Sequence, residues 1–254
     1  MAKQKNTKPA QSEPESRTLG RPLRLILLTI GVFIVSQAAG VFLVELIYHI
    51  IHPGAGEALT NSISAQFFYI LIAEGLAAWF AIYLVRARGL NLSVIGLGRR
   101  PATKDIAMAT VGFVAYYAIL LAAGVVVNYL SPDLQNQQQN LGFTDIRTST
   151  ENVMAFISLV ILPPLGEETL VRGYLFSGLR KYWRFAPALV FTSLLFGVAH
   201  LEFGSGGPLV WAAAIDTAIL SVVLCYLREN TGALYAGMLV HMINNLIAFG
   251  YHFK

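Results

Sequence analysis

Apolar residues along this chain come in long continuous runs, not in the alternation of half-buried strands. The first extends from Leu25 to Ile51, 27 residues, where about 20 suffice for a helix to cross a hydrocarbon core of roughly 30 Å. Further runs occupy 64–85, 105–130, 153–179, 185–201, 209–227 and 232–250, each long enough to cross or nearly cross. All are rich in Leu, Ala and Val, whereas the strands of a membrane barrel would be about ten residues long with alternating polarity. The pattern predicts an all-α, polytopic transmembrane helical bundle of about seven spans, or eight if a bent helix hides one, without an internal repeat.

Composition agrees with that reading. Of 254 residues, 56% are hydrophobic and 13% charged, against the roughly 25% charged of a soluble domain. The net charge of +4 is carried in clumps between apolar runs, which argues against a nucleic-acid partner. One cysteine, Cys225, lies inside an apolar run, so there is neither an intrachain disulfide nor a CxxC metal site. Residues 1–24 are polar and basic and read as a disordered cytoplasmic tail. The run after them is too long for a signal-peptide core and reads as an uncleaved first span, so residues 25–254 are expected to form a single transmembrane domain.

Basic residues near span ends stay cytoplasmic. Six lie in the tail, five in 86–104, three in 180–184, and Arg228 precedes the last run; together they make 15 of the 18. The intervening loops hold Arg147 alone. The expected protein is therefore a multi-pass integral membrane protein, of the plasma membrane if prokaryotic, with its N-terminus inside and its C-terminus outside. Leu90 to Leu97 suits the inner leaflet surface, Gln135 to Asn140 reads as a polar outer loop, and Gly204-Ser205-Gly206 as a flexible connector.

Ionisable groups within spans are rare and point to function. Here they are Glu45, Glu74, Glu167, Glu168, Arg172, His200, Asp216 and His241. Glu45, Glu74 and Asp216 stand alone and favour structural or interfacial roles, as do His49 and His52. Pro163 and Pro164 interrupt a helix and imply a new one near Gly166, with Glu167 and Glu168 in its first turn. Glu168 and Arg172 are four apart, the favourable spacing for an ion pair. Glu167 points about 100° away from Glu168, which leaves it without a cation and makes it a candidate general base. Measured from Arg180, Arg184 and Arg228, Glu167, His200 and His241 lie about 20, 24 and 20 Å into the membrane. Three helices thus bring them to nearly one level and define a membrane-embedded polar cavity. Asn245 follows His241 by four and shares its face, and Phe196 precedes His200 by four.

At these residues the sequence resembles the CPBP family of intramembrane glutamic endopeptidases, which includes CAAX prenyl proteases and enzymes of bacteriocin processing and self-immunity. The motifs are EExxxR at Glu167, Glu168 and Arg172, FxxxH at Phe196 and His200, and HxxxN at His241 and Asn245. They cover 166–245, within an expected catalytic core of 153–250. The resemblance implies hydrolysis of a peptide bond in a membrane-associated or prenylated protein or peptide, inside the bilayer. It makes Glu167 the water-activating base helped by His200, Glu168 and Arg172 the groups that fix geometry, and His241 with Asn245 an oxyanion-stabilising pair. No cofactor is expected. A zinc ion on Glu167, His200 and His241 is the alternative, disfavoured because no HExxH spacing occurs. Signatures of site-2, aspartyl and rhomboid proteases fit poorly. Two other classes remain: a silent membrane scaffold or immunity protein of the same fold, and a proton-coupled transporter using Glu45, Glu74 and Asp216.

Overall fold

The computed structural model describes residues 18–137, 139, 141–201 and 209–253. Most of the tail, residues 1–17, and the 204–206 connector lie outside them, as do Gln138 and Asn140 of the outer loop. Among the described residues there is no strand, and seven long helical segments coincide with the seven apolar runs. They are α1 (Pro22–Ile51), α2 (Ile63–Arg86), α3 (Thr103–Leu130), α4 (Ser149–Leu179), α5 (Phe185–Val198), α6 (Trp211–Thr231) and α7 (Tyr235–His252). Helix α1 starts three residues before its apolar run because Pro22 occupies the first turn, where a missing N–H loses nothing.

Five segments, α1 to α4 and α6, are long and apolar enough to cross a membrane; α5 is apolar but has only 14 residues. Large apolar side chains such as Phe42, Ile50, Val114, Leu121 and Val125 stand exposed along α1 and α3. On a soluble protein such a surface would drive association, whereas in hydrocarbon it is the wetted face. The chain is an integral membrane protein with a helical-bundle fold.

Two packed clusters flank α4. One joins α1, α2, α5 and the second half of α4 through Leu25, Ala77, Ala81, Leu170, Tyr174 and Leu179. The other joins α3, α6 and α7 through Ala109, Tyr116, Leu224, Ala236 and Val240. Helices approach closely where side chains are small: a Cβ on Gly197 of α5 would lie 2.6 Å from the Ala214 carbonyl of α6. The Leu90–Leu97 segment packs against the bundle. Its 3-10 turn (Leu92–Ile95) buries Ile95 fully, and its carbonyls at Val94 and Gly96 accept from Arg228 and from Leu234 N–H at 3.0 and 3.2 Å. Nearby, Arg180 grips Glu229 at 2.7 and 3.0 Å, and those bonds hold its guanidinium above the ordinary pKa.

The double proline does not start a new helix. Helical backbone continues from Ser149 to Leu179, with π-helical stretches at Ile157–Ile161 and Glu168–Phe176. Leu162 N–H reaches back five residues to the Ile157 carbonyl, so the ladder shifts register before the residues that cannot donate. Glu167 and Glu168 therefore sit mid-helix, without the free N–H groups of a first turn. Side chains take up the carbonyls beyond: Thr169 donates to Leu165 O at 2.7 Å and Ser177 to Arg172 O at 2.9 Å.

Candidate functional site

Consecutive acids of α4 approach the two ring nitrogens of one histidine. Glu168 is buried, and its Oε1 accepts from Arg172 Nη1 at 2.8 Å, the ion pair that the four-residue spacing predicts. The same oxygen faces His241 Nδ1 on α7 at 3.2 Å. Against a carboxylate that nitrogen must be the donor, so Glu168 sets both the orientation of the His241 ring and the location of one proton. His241 Nε2 is left facing Glu167 Oε2 at 3.8 Å, beyond hydrogen-bond range. Glu167 Oε2 is buried and has no hydrogen-bond partner.

Phe196 holds the other groups together. Its ring lies 4.1 Å below the Arg172 guanidinium carbon, 4.6 Å from the His200 ring and 6.2 Å from the His241 ring. Arg172 is fully buried, with Nε and Nη2 lacking hydrogen-bond partners, so much of its compensation comes from this aromatic face. His200 sits just past the end of α5, and its Nδ1 is 2.8 Å from the Phe196 carbonyl. A carbonyl only accepts, so Nδ1 carries the proton and Nε2 presents a lone pair.

A cavity of about 350 Å³ opens beside these residues, with Thr29, Glu74, Glu167 and His200 in an otherwise apolar wall from α1, α2, α4 and α5 that includes Phe196. His241 and Asn245 do not line it. Ile34 and Val198, which do, are exposed on the outside of the bundle, so the mouth lies between α1 and α5 on the hydrocarbon side. Asn245 donates from Nδ2 to the Leu159 carbonyl of α4 at 3.0 Å. Among the described residues no three His, Cys, Asp or Glu side chains converge as a metal-binding group; Glu167, His200 and His241 are not assembled as a zinc site in this arrangement.

Glu74 is the acid whose place the sequence did not reveal. It is buried on α2, and a Cβ on Gly166 would lie 2.2 Å from its Oε2 and 2.8 Å from its backbone carbonyl. Only glycine lets α4 come this near α2, one residue before Glu167. Gly166→Ala is expected to push the two helices apart, costing about 1–3 kcal/mol by overpacking and moving Glu167 away from His200. Thermal unfolding in detergent checks this; a wild-type midpoint would mean that α2 yields freely.

The remaining polar residues divide as structure, not as a pathway. Glu45 accepts from the Ala58 and Leu59 N–H groups at 2.9 and 3.2 Å and lies 3.6 Å from His49. Asp216 accepts from the Tyr116 hydroxyl and thereby joins α6 to α3. Glu45 and Asp216 are thus engaged away from the cavity, whereas Glu74 stands in its wall with Glu167.

Residues 149–247, from the start of α4 into α7, match the family model described as type II CAAX prenyl endopeptidase Rce1-like. Over that stretch the chain is similar to the Rce1-like family. The Rce1-like segment contains Glu167, Glu168, Arg172, His200, His241 and Asn245, whereas α1 and α2, which complete the cavity wall, precede it. Over a longer span the chain is similar to the uncharacterized protein YyaK of Bacillus subtilis (strain 168), 24% identical over 249 residues, covering 91% of this chain and 77% of the relative. No solved structure matches. Similarity to an endopeptidase family over that stretch supports a peptidase at the level of the family.

Proposed function

We propose that the chain is an intramembrane endopeptidase that hydrolyses a peptide bond of a membrane-associated or prenylated protein or peptide, without nucleic acid as a partner. The observation that carries the reading is the Glu167 carboxylate oxygen, buried without a hydrogen bond and facing an imidazole, on the wall of a cavity open to hydrocarbon. A carboxylate oxygen that accepts no hydrogen bond has its lone pairs free to take a proton. Glu167 takes a proton from water as the water oxygen bonds to the scissile carbonyl carbon. His200 Nε2, its proton fixed on the opposite nitrogen, accepts from the same water and orients it. The oxyanion is assigned to His241, which Glu168 holds through Nδ1 and which stands behind Glu167, outside the cavity wall, where substrate reaches it only past that carboxylate; such donors supply about 3–4 kcal/mol each. On collapse the C–N bond breaks, and Glu167 returns its proton to the departing amine. No step is routed through a metal.

Lateral entry between α1 and α5 lets a lipid-anchored substrate reach Glu167 at its depth without crossing the headgroups.

The test uses the purified full chain in nanodiscs with a prenylated CAAX peptide and an unprenylated membrane-spanning peptide. Cleavage of either is expected, falling about 10²–10⁴-fold in His200→Ala. Undiminished cleavage by that variant, or partner binding without any cleavage by the wild type, would overturn the reading, the latter in favour of a scaffold.

A further inference from the structure

Two of the polar side chains on the cavity wall, Glu167 and His200, serve the attacking water; Glu74 and Thr29 have no part in that step. Glu74 belongs to α2, before the stretch that matches the endopeptidase family. It is only 8% exposed, and a carboxyl group buried in a membrane span is costly unless its oxygens are used. Glu74 adjoins Gln37 of α1, whereas Thr29 lies eight residues from Gln37 along that helix, about 12 Å. Glu74 is therefore the unassigned polar group beside Glu167.

Its carboxyl is held from behind. Gln37 Oε1 accepts from the Tyr69 hydroxyl, which leaves the Gln37 amide N–H groups for Glu74. A Cβ on Gly166 would lie 2.2 Å from Glu74 Oε2, so that oxygen rests against the α4 backbone one residue before Glu167. A carboxylate offers about four lone-pair sites, more than these two contacts occupy. The rest are available to the cavity that Glu74 shares with Glu167 and His200.

Peptide hydrolysis in such a wall calls for one more acceptor. The scissile amide carries an N–H, which in a water-poor cavity needs a partner. As the tetrahedral intermediate collapses, the nitrogen must turn its lone pair toward the proton on Glu167, so its N–H must point elsewhere. Glu167 and His200 Nε2 are committed to the water. We propose that Glu74 is a further catalytic residue, whose carboxyl accepts the scissile N–H and so aims the nitrogen lone pair at Glu167 as the C–N bond breaks. This rests on the peptidase reading above. The proton that Glu167 takes from water still passes to the nitrogen, and the amine departs with its original N–H bonded to Glu74. A carboxyl group accepts through its carbonyl oxygen whether or not it carries a proton, so the role requires no particular charge on Glu74.

An ester substrate tests the assignment, because its leaving oxygen has no N–H to hold. The full chain in nanodiscs receives the peptide that it cleaves and the same sequence with an ester at the scissile position. Glu74→Met keeps the length of the side chain and removes its acceptors. It is expected to lower kcat on the amide at least about thirtyfold, and on the ester no more than about threefold. Glu74→Gln, whose amide oxygen still accepts, should stay within about fivefold of wild type on both. A merely structural role would lower amide and ester cleavage together. An equal fall on both substrates in Glu74→Met, no fall on either, or a Glu74→Gln variant as impaired as Glu74→Met overturns the proposal. Should Glu74→Met fail to fold, Glu74→Ala, which only removes atoms, decides by the same ratio of amide to ester cleavage. A wild-type chain that cleaves no peptide would overturn the peptidase reading and the role of Glu74 with it, whereas an unselective loss in the variants overturns the role of Glu74 alone.

Discussion

Glu167→Gln is expected to keep the fold and lose about 10²–10⁴-fold in kcat, with KM within about threefold. The amide has the shape of the carboxylate but cannot take a proton from water. Because Glu167 Oε2 accepts no hydrogen bond, the substitution removes a partly buried charge and gives up only the 3.8 Å approach to His241. The thermal midpoint should therefore stay level or rise. With no hydrogen bond at Oε2 to lose, stability and turnover should separate. Purified variant and wild type, assayed side by side on the same peptide and unfolded in the same detergent, provide the measurement. Full turnover in Glu167→Gln would remove the base from the mechanism, and a fall of several degrees would mean that Glu167 makes an interaction the structure does not contain.

Relations within one helix were legible in the sequence, and relations across helices mostly were not. Continuous apolar runs placed all seven segments to within a few residues, because burial in hydrocarbon leaves a signal as long as the span itself. The four-residue spacing located the Glu168–Arg172 pair, which closes at 2.8 Å, and the Phe196–His200 stack, at 4.6 Å. Depth counting brought Glu167 and His241 to one level, and they lie 3.8 Å apart. The double proline was misread for a definite reason. Loss of an N–H says that a helical bond is missing, but not whether the chain breaks or shifts its register. Glu74 was unreadable because its significance lies on another helix, in Gly166, which makes room for it. Phe196 gave half its meaning away, its stack on His200, and withheld the Arg172 contact.

Arg172→Ala should be the most destabilising single substitution in the site, costing about 3–5 kcal/mol. The guanidinium is wholly buried, bonded to Glu168 at 2.8 Å and seated over Phe196 at 4.1 Å. Its removal strands the buried Glu168 carboxylate without its cation. Arg172→Lys should recover only part of the loss, because an ammonium lacks the flat face that covers the Phe196 ring. The informative variant removes both charges. Glu168→Leu/Arg172→Met leaves no stranded ion, and buried pairs replaced by apolar groups of similar size commonly regain stability. Its midpoint should therefore return close to wild type. Activity should not return, because His241 Nδ1 loses the carboxylate that holds its proton and its ring orientation. Thermal unfolding and peptide cleavage on the single and double variants measure the two effects separately. Recovery of both together would make Glu168 and Arg172 a packing device, whereas recovery of stability alone assigns Glu168 to the preparation of His241.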